Sequence, residues 1–423
     1  MIMKEILVFQ GPLSSRSGYG DHARDLVRSL IAMDRFDIKI IDLRWGDCPR
    51  NALTHDDVDI TSRFLTQNLE TQPDVFVQIS VPNEFQNIGK YNIGITAGIE
   101  TTNCAPQWIE GCNRMDLVIV PSNHAKTVFE KTFYDRMNKE SGKKEGELRC
   151  TTPISVLFEG ADLNIWKKTN EISKTVNDKL STIPEDFCFL YVGHWLQGEE
   201  GHTRKDTGGV IRTFCNTFKG GAYKKRPALI LKTSSATFSV IDREQMLAKI
   251  RAIRATISNP PNVYLVHGDL EQVELNSLYN HPKVKVHVSF TKGEGFGRPL
   301  LEASLSGKPV VSTNWSGHID FLSPHSILLP GEVKQVHPSA VIEGIILPES
   351  GWFYVNYNYA SKILKDMFKH YKKYLPGATK QLSHSKNNFS LDKMNNDFKA
   401  LITATVPKQP EAIQLKLPKL EKV

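Results

Sequence analysis

The sequence predicts an α/β protein of two domains, each built around a parallel sheet. The chain has 423 residues, which is too long for one ordinary hydrophobic core. Short β-branched apolar runs alternate with longer amphipathic stretches, as in βαβ units, and a polar stretch near residue 180 divides them into two series. Ligands of open parallel sheets bind beyond the carboxyl ends of the strands, so two facing sheets would form a cleft.

The first domain is predicted to span residues 1–182. The amphipathic stretches HARDLVRSLIAM and NHAKTVFEKTF are predicted helices, and residues 138–150 are a polar insertion. The strands are expected in the apolar runs at 5–9, 37–43, 74–80, 91–96, 116–122 and 154–160.

The second domain is predicted to span residues 183–400, with a last helix that is free to return to the first domain. A basic, loosely ordered tail is expected at 401–423. Residues 361–375 place apolar side chains on one face and lysines on the other. We favour a helix packed on the second domain over a membrane-surface helix for this segment. The strands are expected at 187–194, 227–234, 262–268, 284–290 and 308–314.

The composition is typical of a globular protein, with 40% hydrophobic and 23% charged residues. There is no run of 18 apolar residues and no signal-peptide pattern at the start, so we expect a cytoplasmic protein without stable membrane insertion. The six cysteines are scattered, and no two are separated by only two residues. This spacing argues against a zinc ribbon, a redox pair or a disulfide framework.

The charge is unevenly distributed along the chain. Residues 1–182 carry 22 basic and 25 acidic side chains, a net charge of −3, whereas the remainder carries +10. Residues 360–423 alone hold 13 lysines and 5 acidic residues. The first half therefore offers no broad electrostatic footprint for nucleic acid, although the lysine-rich C-terminal part could hold phosphates.

The stretch TKGEGFGRPLLEASLSGKPVV, residues 291–311, follows a predicted strand and begins a helix. Its glycines allow backbone N–H groups to approach a ligand, and the free N–H groups of the helix start favour an anion. Glu294 in the turn and Glu302 inside the helix are separated by seven residues. Carboxylates in such positions accept hydrogen bonds from the hydroxyl groups of a ligand. A diphosphate between two polyhydroxylated rings fits these features, and such a ligand is a nucleotide sugar.

The segment GEGFGRPLLEASLSGKPVV resembles the E-x7-E segment of the retaining glycosyltransferases of GT-B fold, often called family 4. The segment SVLFEGADLNIW before the linker and the basic loop LYVGHWLQGEEGHTRKD also resemble this family. The resemblance extends to about residue 400 and implies two Rossmann-like domains. It also implies a nucleotide-sugar donor, with no metal cofactor.

The resemblance assigns roles to individual residues. Glu294 and the loop residues Gly295, Phe296 and Gly297 would contact the hydroxyls of the donor sugar, and Glu302 would hold the ribose. Lys205, together with Arg204, would neutralise the diphosphate leaving group in place of a divalent metal.

The basic loop departs from the family pattern at one position. Many relatives have an arginine where this chain has His194. One cationic contact is therefore either missing or supplied from elsewhere, by Arg204, Arg298 or Lys232. Lys232, at the end of a predicted strand, either points into the cleft or is an ordinary solvated lysine.

The N-terminal loop allows an alternative function. Gly18, Gly20 and Ala23 match G-x-G-x-x-A, and Asp42 ends the next strand, which imitates a dinucleotide-binding fingerprint. However, Gly18 lies nine residues after Phe9, whereas the fingerprint begins in the tight turn at the strand end.

We therefore favour a loop that closes over the donor phosphate and the acceptor. In this interpretation Gly18, Tyr19 and Gly20 give close backbone approach, and Arg16 contacts an anion.

Two further acidic segments are candidates for chemistry. Glu100, followed by Thr101 and Thr102, would orient an acceptor hydroxyl, or alternatively the threonines cap a helix. Asp57 and Asp59 resemble a metal-binding D-x-D pair but lie in a polar connection, so a solvated loop is favoured.

The sequence thus predicts a retaining glycosyltransferase that uses a nucleoside diphosphate sugar. A glycan, lipid-linked or small-molecule acceptor is the first expectation, and modified DNA bases are the second. An NAD-dependent oxidoreductase and a non-catalytic nucleotide-sugar-binding protein are the alternatives from other classes.

Overall fold

A computed structural model of the protein describes residues 4–67, 69–138, 140–220, 225–235, 238–322 and 324–408. Its strands, in chain order, are β1 (Glu5–Gly11), β2 (Phe36–Asp42), β3 (Val75–Ile79), β4 (Tyr91–Ile95), β5 (Leu117–Val120), β6 (Phe133–Met137), β7 (Lys144–Arg149), β8 (Ile154–Val156), β9 (Cys188–Val192), β10 (Ala228–Lys232), β11 (Val263–Val266), β12 (Val284–Val288), β13 (Val310–Thr313), β14 (Ile327–Leu329), β15 (Gly331–Gln335) and β16 (Gly351–Val355).

Helices follow most of these strands, as expected of βαβ units. In chain order they are α1 (Gly18–Met33), α2 (Val58–Thr61), α3 (Pro106–Cys112), α4 (Asn123–Lys131), α5 (Lys174–Ser181), α6 (Thr207–Phe218), α7 (Val240–Ala255), α8 (Gln272–Asn280), α9 (Arg298–Ser304), α10 (Ile319–Leu322), α11 (Tyr357–Lys369), α12 (Leu375–Asn388) and α13 (Leu391–Thr405).

The chain folds into two six-stranded parallel sheets. The first has the strand order β2-β1-β3-β4-β5-β8, and the second has β11-β10-β9-β12-β13-β14. Every residue of β3 is buried, as is typical of a central parallel strand that has helices on both faces. The predicted α/β architecture with two parallel-sheet domains is confirmed.

The C-terminal helix α13 packs on the first sheet rather than on the second. Met394, Phe398 and Ile402 are fully buried in the same core cluster as the apolar side chains of β1 and α1. An isolated parallel bridge between Ala161 and Ser390 lies at the start of this helix. The first domain therefore includes a segment that follows the second domain in the chain.

The amphipathic segment predicted at 361–375 forms most of α11, the turn that follows it and the first residue of α12. Leu364 and Met367 are buried in the core cluster of the second domain, whereas the lysines are exposed. Among the described residues, no helix is both long and apolar enough to cross a membrane. Most of the basic tail at 401–423 lies outside the described residues.

The polar segments carry more structure than their sequence suggests. The insertion at 138–150 contributes to the antiparallel hairpin of β6 and β7. The polar stretch near residue 180 contains α5, whose Val176 and Leu180 are buried. A second antiparallel hairpin, β15 and β16, precedes α11.

Candidate functional site

The loops at the carboxyl ends of the two sheets pack directly against each other. The Oγ of Ser122, in the loop after β5, donates to the carbonyl of Gly295 at 2.6 Å. A Cβ atom added at Gly295 would lie 1.9 Å from the carbonyl oxygen of Ala97, and one added at Gly293 would lie 1.8 Å from that of Glu100. These glycines therefore permit a backbone contact between the domains that no other residue would allow.

The predicted glycine loop leads into α9 as expected. Gly297 precedes the helix with a φ of 100°, a left-handed conformation that favours glycine, and Pro299 lies in the first turn. The backbone N–H of Glu294 donates to the Oγ of Ser316 at 2.9 Å, and the carbonyl of Glu294 accepts from Gly317. The loop is thus fixed by backbone contacts on both sides of the carboxylate.

Two cations from the loop before α6 surround the carboxylate of Glu294. The ammonium group of Lys205 lies 2.5 and 2.7 Å from its two oxygens, and Nη1 of Arg204 lies 3.5 Å from one of them. Burial favours the neutral acid, but Lys205 and Arg204 lower the pKa of Glu294 to about 2. Glu294 is therefore ionised at neutral pH.

Arg204 also contacts the first domain. Its Nη1 donates to the carbonyl of Gly293 at 3.0 Å and lies 3.4 Å from Oε1 of Glu100. The structure thus brings together the predicted residues Arg204, Lys205, Glu294 and Glu100.

Asp206, the residue after Lys205, is fixed by a buried network of its own. It adopts a left-handed conformation with a φ of 47° and caps α6 by accepting from the N–H of Gly209. Tyr357 donates to its carboxylate at 2.5 Å, and the ammonium of Lys292 lies 3.4 Å away. Lys292 is fully buried, and its Nζ lies 3.9 Å from the ring centroid of Tyr354. This network fixes the backbone that carries Lys205.

Glu302 lies one turn inside α9 and is buried. The hydroxyl of Tyr279 donates to its Oε2 at 3.4 Å, and Nε of Arg298 lies 3.6 Å from its Oε1. Burial raises the pKa of Glu302 to about 8, and the carboxylates of Asp21 and Glu159 act in the same direction. In this state the carboxyl group is largely neutral at pH 7.

Arg298 is not available as the missing cation of the basic loop. Its Nη2 donates to Asp25 on α1 at 3.0 Å, and its Nη1 lies 3.9 Å from Glu159 after β8. Lys232 is partly buried and donates to the carbonyl of Gly268 at 2.8 Å, so it is not an ordinary solvated lysine. Of the three candidates, Arg204 is the one that lies beside Lys205 and Glu294.

His194 lies at the end of β9, close to the basic loop. Its Nδ1 is 3.5 Å from the Oγ of Ser234. Burial and the nearby charge of Lys205 lower the pKa of His194. This histidine is therefore a neutral neighbour of Lys205 and does not replace an arginine.

The N-terminal loop contacts the first sheet through Tyr19. The Tyr19 hydroxyl accepts from the N–H of Ala97 at 3.0 Å and lies 3.1 Å from the Oγ1 of Thr96, while its ring stacks on Trp45. A Cβ atom at Gly18 would meet nothing within 4 Å. The start of α1 is therefore open at Gly18.

The geometry does not favour the dinucleotide-binding interpretation of this loop. A Cβ atom at Gly20 would lie 2.2 Å from the carbonyl oxygen of Ser15, so Gly20 allows close packing within its own loop rather than against a ligand. The carboxylate of Asp42 accepts from the N–H of Ser14 and from Arg50 and is not free for a ribose. Arg16, expected to contact an anion, pairs with Asp269 at 2.9 Å.

The threonines after Glu100 do not cap a helix, so that alternative is wrong. Thr101 donates to the carbonyl of Asn103, and Thr102 exchanges two hydrogen bonds with the backbone of Gly351. The N-cap position of α3 is Ala105. Thr102 instead joins the first domain to β16.

Asp57 and Asp59 form ion pairs with Arg28. Within the described part of the chain, no group of three or more histidine, cysteine, aspartate or glutamate side chains is arranged to hold a metal ion.

Sequence reasoning missed His318, which is fully buried near Glu294. Its Nε2 lies 2.7 Å from the carbonyl oxygen of Thr313, and burial lowers its pKa. In the sequence it is a single histidine with no motif around it. His318 follows β13, just as Glu294 follows β12, and the carboxyl ends of parallel strands lie at the same edge of a sheet. This placement was the sequence feature that could have indicated that His318 lies near the site.

Part of the chain matches a known family. Residues 228–346, which include Glu294 and Glu302, match the model of a family described as Glycosyl transferases group 1. No curated protein matches the chain in sequence.

Solved structures share the two-sheet architecture over nearly the whole chain. Sucrose-phosphate synthase from Thermosynechococcus elongatus is 11% identical, with a TM-score of 0.62, over 95% of this chain and 99% of that chain. A glycosyltransferase from Rickettsia africae is 12% identical, with a TM-score of 0.62, over 96% and 100%. Anabaena HepE in complex with UDP and glucose is 14% identical, with a TM-score of 0.56, over 95% and 100%. The predicted GT-B fold is confirmed.

Proposed function

We propose that the protein is a retaining glycosyltransferase, similar to family 4, that moves a sugar from a nucleoside diphosphate sugar to an acceptor hydroxyl. The observation that carries this proposal is the cluster of Arg204, Lys205 and Glu294, in the loops before α6 and α9, where the loops at the carboxyl ends of the two parallel sheets meet. The family match at 228–346 supports it, because that segment includes the glycine loop and both glutamates.

In the proposed reaction the diphosphate is the leaving group. The bond between the anomeric carbon and the diphosphate oxygen breaks, and a bond to the acceptor oxygen forms on the same face of the sugar. The departing phosphate takes the proton of the acceptor hydroxyl. Lys205 and Arg204, without a metal, stabilise the charge that develops on the diphosphate, together with the N–H groups at the start of α9.

Glu294 and Glu302 bind the two polyhydroxylated ends of the donor. The carboxylate of Glu294 accepts hydrogen bonds from hydroxyls of the sugar once Lys205 moves to the diphosphate, and the backbone of Gly295 to Gly297 contacts the same end of the donor. Glu302 holds the ribose. Glu100 lies on the first-domain side of Arg204 and orients the acceptor hydroxyl.

UDP-sugars are the first donors to test. Anabaena HepE has been solved with UDP-glucose, and the structural neighbour from E. coli has been solved with UDP-2-fluoro glucose. The experiment is a thermal-shift screen against UDP-, GDP-, ADP- and TDP-sugars and NAD, with Glu302→Gln as the matched variant. A ligand at a hundred times its dissociation constant adds about 2.7 kcal/mol of stability.

One nucleotide sugar should stabilise the wild type and lose most of this effect in Glu302→Gln. Stabilisation by NAD alone would contradict the proposal and restore the oxidoreductase alternative. Donor binding without transfer to water or to any acceptor would indicate a binding protein.

A glycan, a lipid-linked sugar or a small molecule is the acceptor class we propose first. DNA is a second candidate, because α11 and the turn after it present exposed lysines. Transfer assays with each acceptor class identify the substrate. The salt dependence of DNA binding, with and without residues 409–423, tests the second candidate.

A further inference from the structure

A buried ionic cluster joins the two domains beside Glu302. Arg298, the first residue of α9, belongs to the second domain, whereas Asp25 on α1 and Glu159 after β8 belong to the first. The side chains of Arg298, Asp25 and Glu159 are 12%, 17% and 8% exposed. This cluster is separate from the cations around Glu294, and the proposed reaction does not yet use it.

The guanidinium of Arg298 faces a different carboxylate on each edge. Nη2 donates to Asp25 at 3.0 Å, Nε lies 3.6 Å from Glu302, and Nη1 lies 3.9 Å from Glu159. Nη1 has no hydrogen-bond partner within the described part of the chain. Among the described residues, Asp25 therefore makes the one short hydrogen bond to this guanidinium. That bond fixes the plane of the guanidinium, and the plane determines where Nε points.

We propose that Asp25 is a positioning residue for the donor nucleotide, because it holds Arg298 in the place from which Arg298 orients Glu302. This inference rests on the proposed function, in which Glu302 binds the ribose. Asp25 does not touch the donor in this role. It acts through Arg298, so that the first domain contributes to binding of the nucleotide by the second domain.

The arrangement links the first domain to ribose binding. Arg298 lies between Asp25 of the first domain, at 3.0 Å, and Glu302, at 3.6 Å and four residues later on the same helix. Tyr279 donates to the other oxygen of Glu302. Without the bond to Asp25, the guanidinium of Arg298 would be free to move onto Glu302 and occupy an oxygen that the ribose hydroxyls need.

The test compares binding of UDP, GDP and ADP with binding of their 2′-deoxy analogues, measured by calorimetry. Wild type should bind one ribonucleotide more tightly than its deoxy analogue, because Glu302 accepts the 2′-hydroxyl. Asp25→Asn should weaken ribonucleotide binding by about tenfold, the equivalent of 1.4 kcal/mol. Binding of the deoxy analogue should change much less, so the ratio of the two affinities should shrink toward that of Glu302→Gln.

Asp320→Asn is the matched control. Its carboxylate also makes a contact between the two domains, but it accepts a hydrogen bond from the backbone N–H of Asn123 at 2.8 Å rather than from Arg298. This variant should retain the wild-type ratio. Arg298→Lys keeps the positive charge but loses the planar guanidinium, so it should behave like Asp25→Asn. It serves as the second variant if Asp25→Asn does not fold.

The other possible outcomes contradict different parts of the proposal. A wild-type ratio in both Asp25→Asn and Arg298→Lys would overturn the positioning role, and so would an equal loss in Asp320→Asn. Equal binding of ribo- and deoxynucleotides by wild type would overturn the ribose contact and this inference while leaving donor binding intact. Failure of wild type to bind any nucleotide would contradict the proposed function itself.

Discussion

The ammonium group of Lys205 and the carboxylate of Glu294 form a buried ion pair across 2.5 Å, with side chains 13% and 8% exposed. The pair joins the loop before α6 to the loop before α9, which are 89 residues apart in sequence. The cation proposed for the leaving group is thus paired with the carboxylate proposed for the sugar. In the proposed reaction the donor separates this pair, and each partner then contacts its own end of the substrate.

Because the two residues form a pair, a single substitution affects both stability and turnover. A double substitution separates the structural role of the pair from its catalytic role. Lys205→Met and Glu294→Gln should each destabilise the protein by about 3 kcal/mol, because each removes the nearest partner of a buried charge. The double variant should return to within about 1 kcal/mol of wild type, as measured by denaturant unfolding. Turnover should stay roughly a hundredfold or more below wild type in all three.

The contradicting result would be a double variant that regains turnover together with stability. The pair would then be structural, and the catalytic role of Lys205 would be wrong.

Local patterns were enough to predict the framework of the site. The apolar runs indicated the central strands, and the motif around Glu294 contains Pro299, a residue suited to the first helical turn, and Gly307, a residue suited to the position after a helix. Gly307 indeed has a φ of 72°, as expected of a residue that follows a helix. These features depend on neighbours within a few residues, which a single sequence displays directly.

The partners of the site residues were not predictable, because they come from distant parts of the chain. Asp25 and Arg298 are 273 residues apart, and Asp206 and Lys292 are 86 apart. Sequence periodicity carries no information at such separations. The hairpin strand β15 was also missed, since all five of its residues are exposed and give no alternation.

The affinity for the donor should depend on pH through Glu302. Burial and the nearby Asp21 and Glu159 raise the pKa of Glu302 to about 8, opposed by Arg298 and a hydrogen bond from Tyr279. If the ionised carboxylate accepts the ribose, the affinity should fall about tenfold per unit as pH drops below 8 and level off above it. Calorimetric titration from pH 6 to 9 measures this slope, and Glu302→Gln should abolish it.

The stability of the protein should change with pH in the direction opposite to that of the donor affinity. The pKa of Glu302 is raised on folding from its ordinary value of 4.5, so this group stabilises the fold fully below pH 4.5 and loses that contribution as pH rises through 8. Wild type should therefore lose more unfolding free energy than Glu302→Gln between pH 5 and 9. A steeper decline in the variant would contradict the proposed burial of a neutral acid.

The C-terminal helix should contribute strongly to the stability of the first domain. Phe398 is fully buried between α13 and the first sheet. Phe398→Ala should therefore cost about 3–5 kcal/mol of unfolding free energy. The exposed neighbour Lys399→Ala is the control and should change stability by less than about 0.5 kcal/mol. Equal effects of the two substitutions would show that the helix does not pack there in solution.

Closure of the cleft should depend on Gly295. Its backbone has no positive φ, so alanine is not strained there, but the new Cβ would lie 1.9 Å from the carbonyl oxygen of Ala97. Because a backbone oxygen cannot rotate away, Gly295→Ala should hold the domains apart. We expect a larger radius of gyration by small-angle scattering and a large loss of turnover, with each domain still folded. Gly146→Ala on β7, where a Cβ would meet nothing within 4 Å, should change neither quantity. An unchanged radius of gyration in Gly295→Ala would mean that the loop yields locally and that the contact between Ala97 and Gly295 does not control closure.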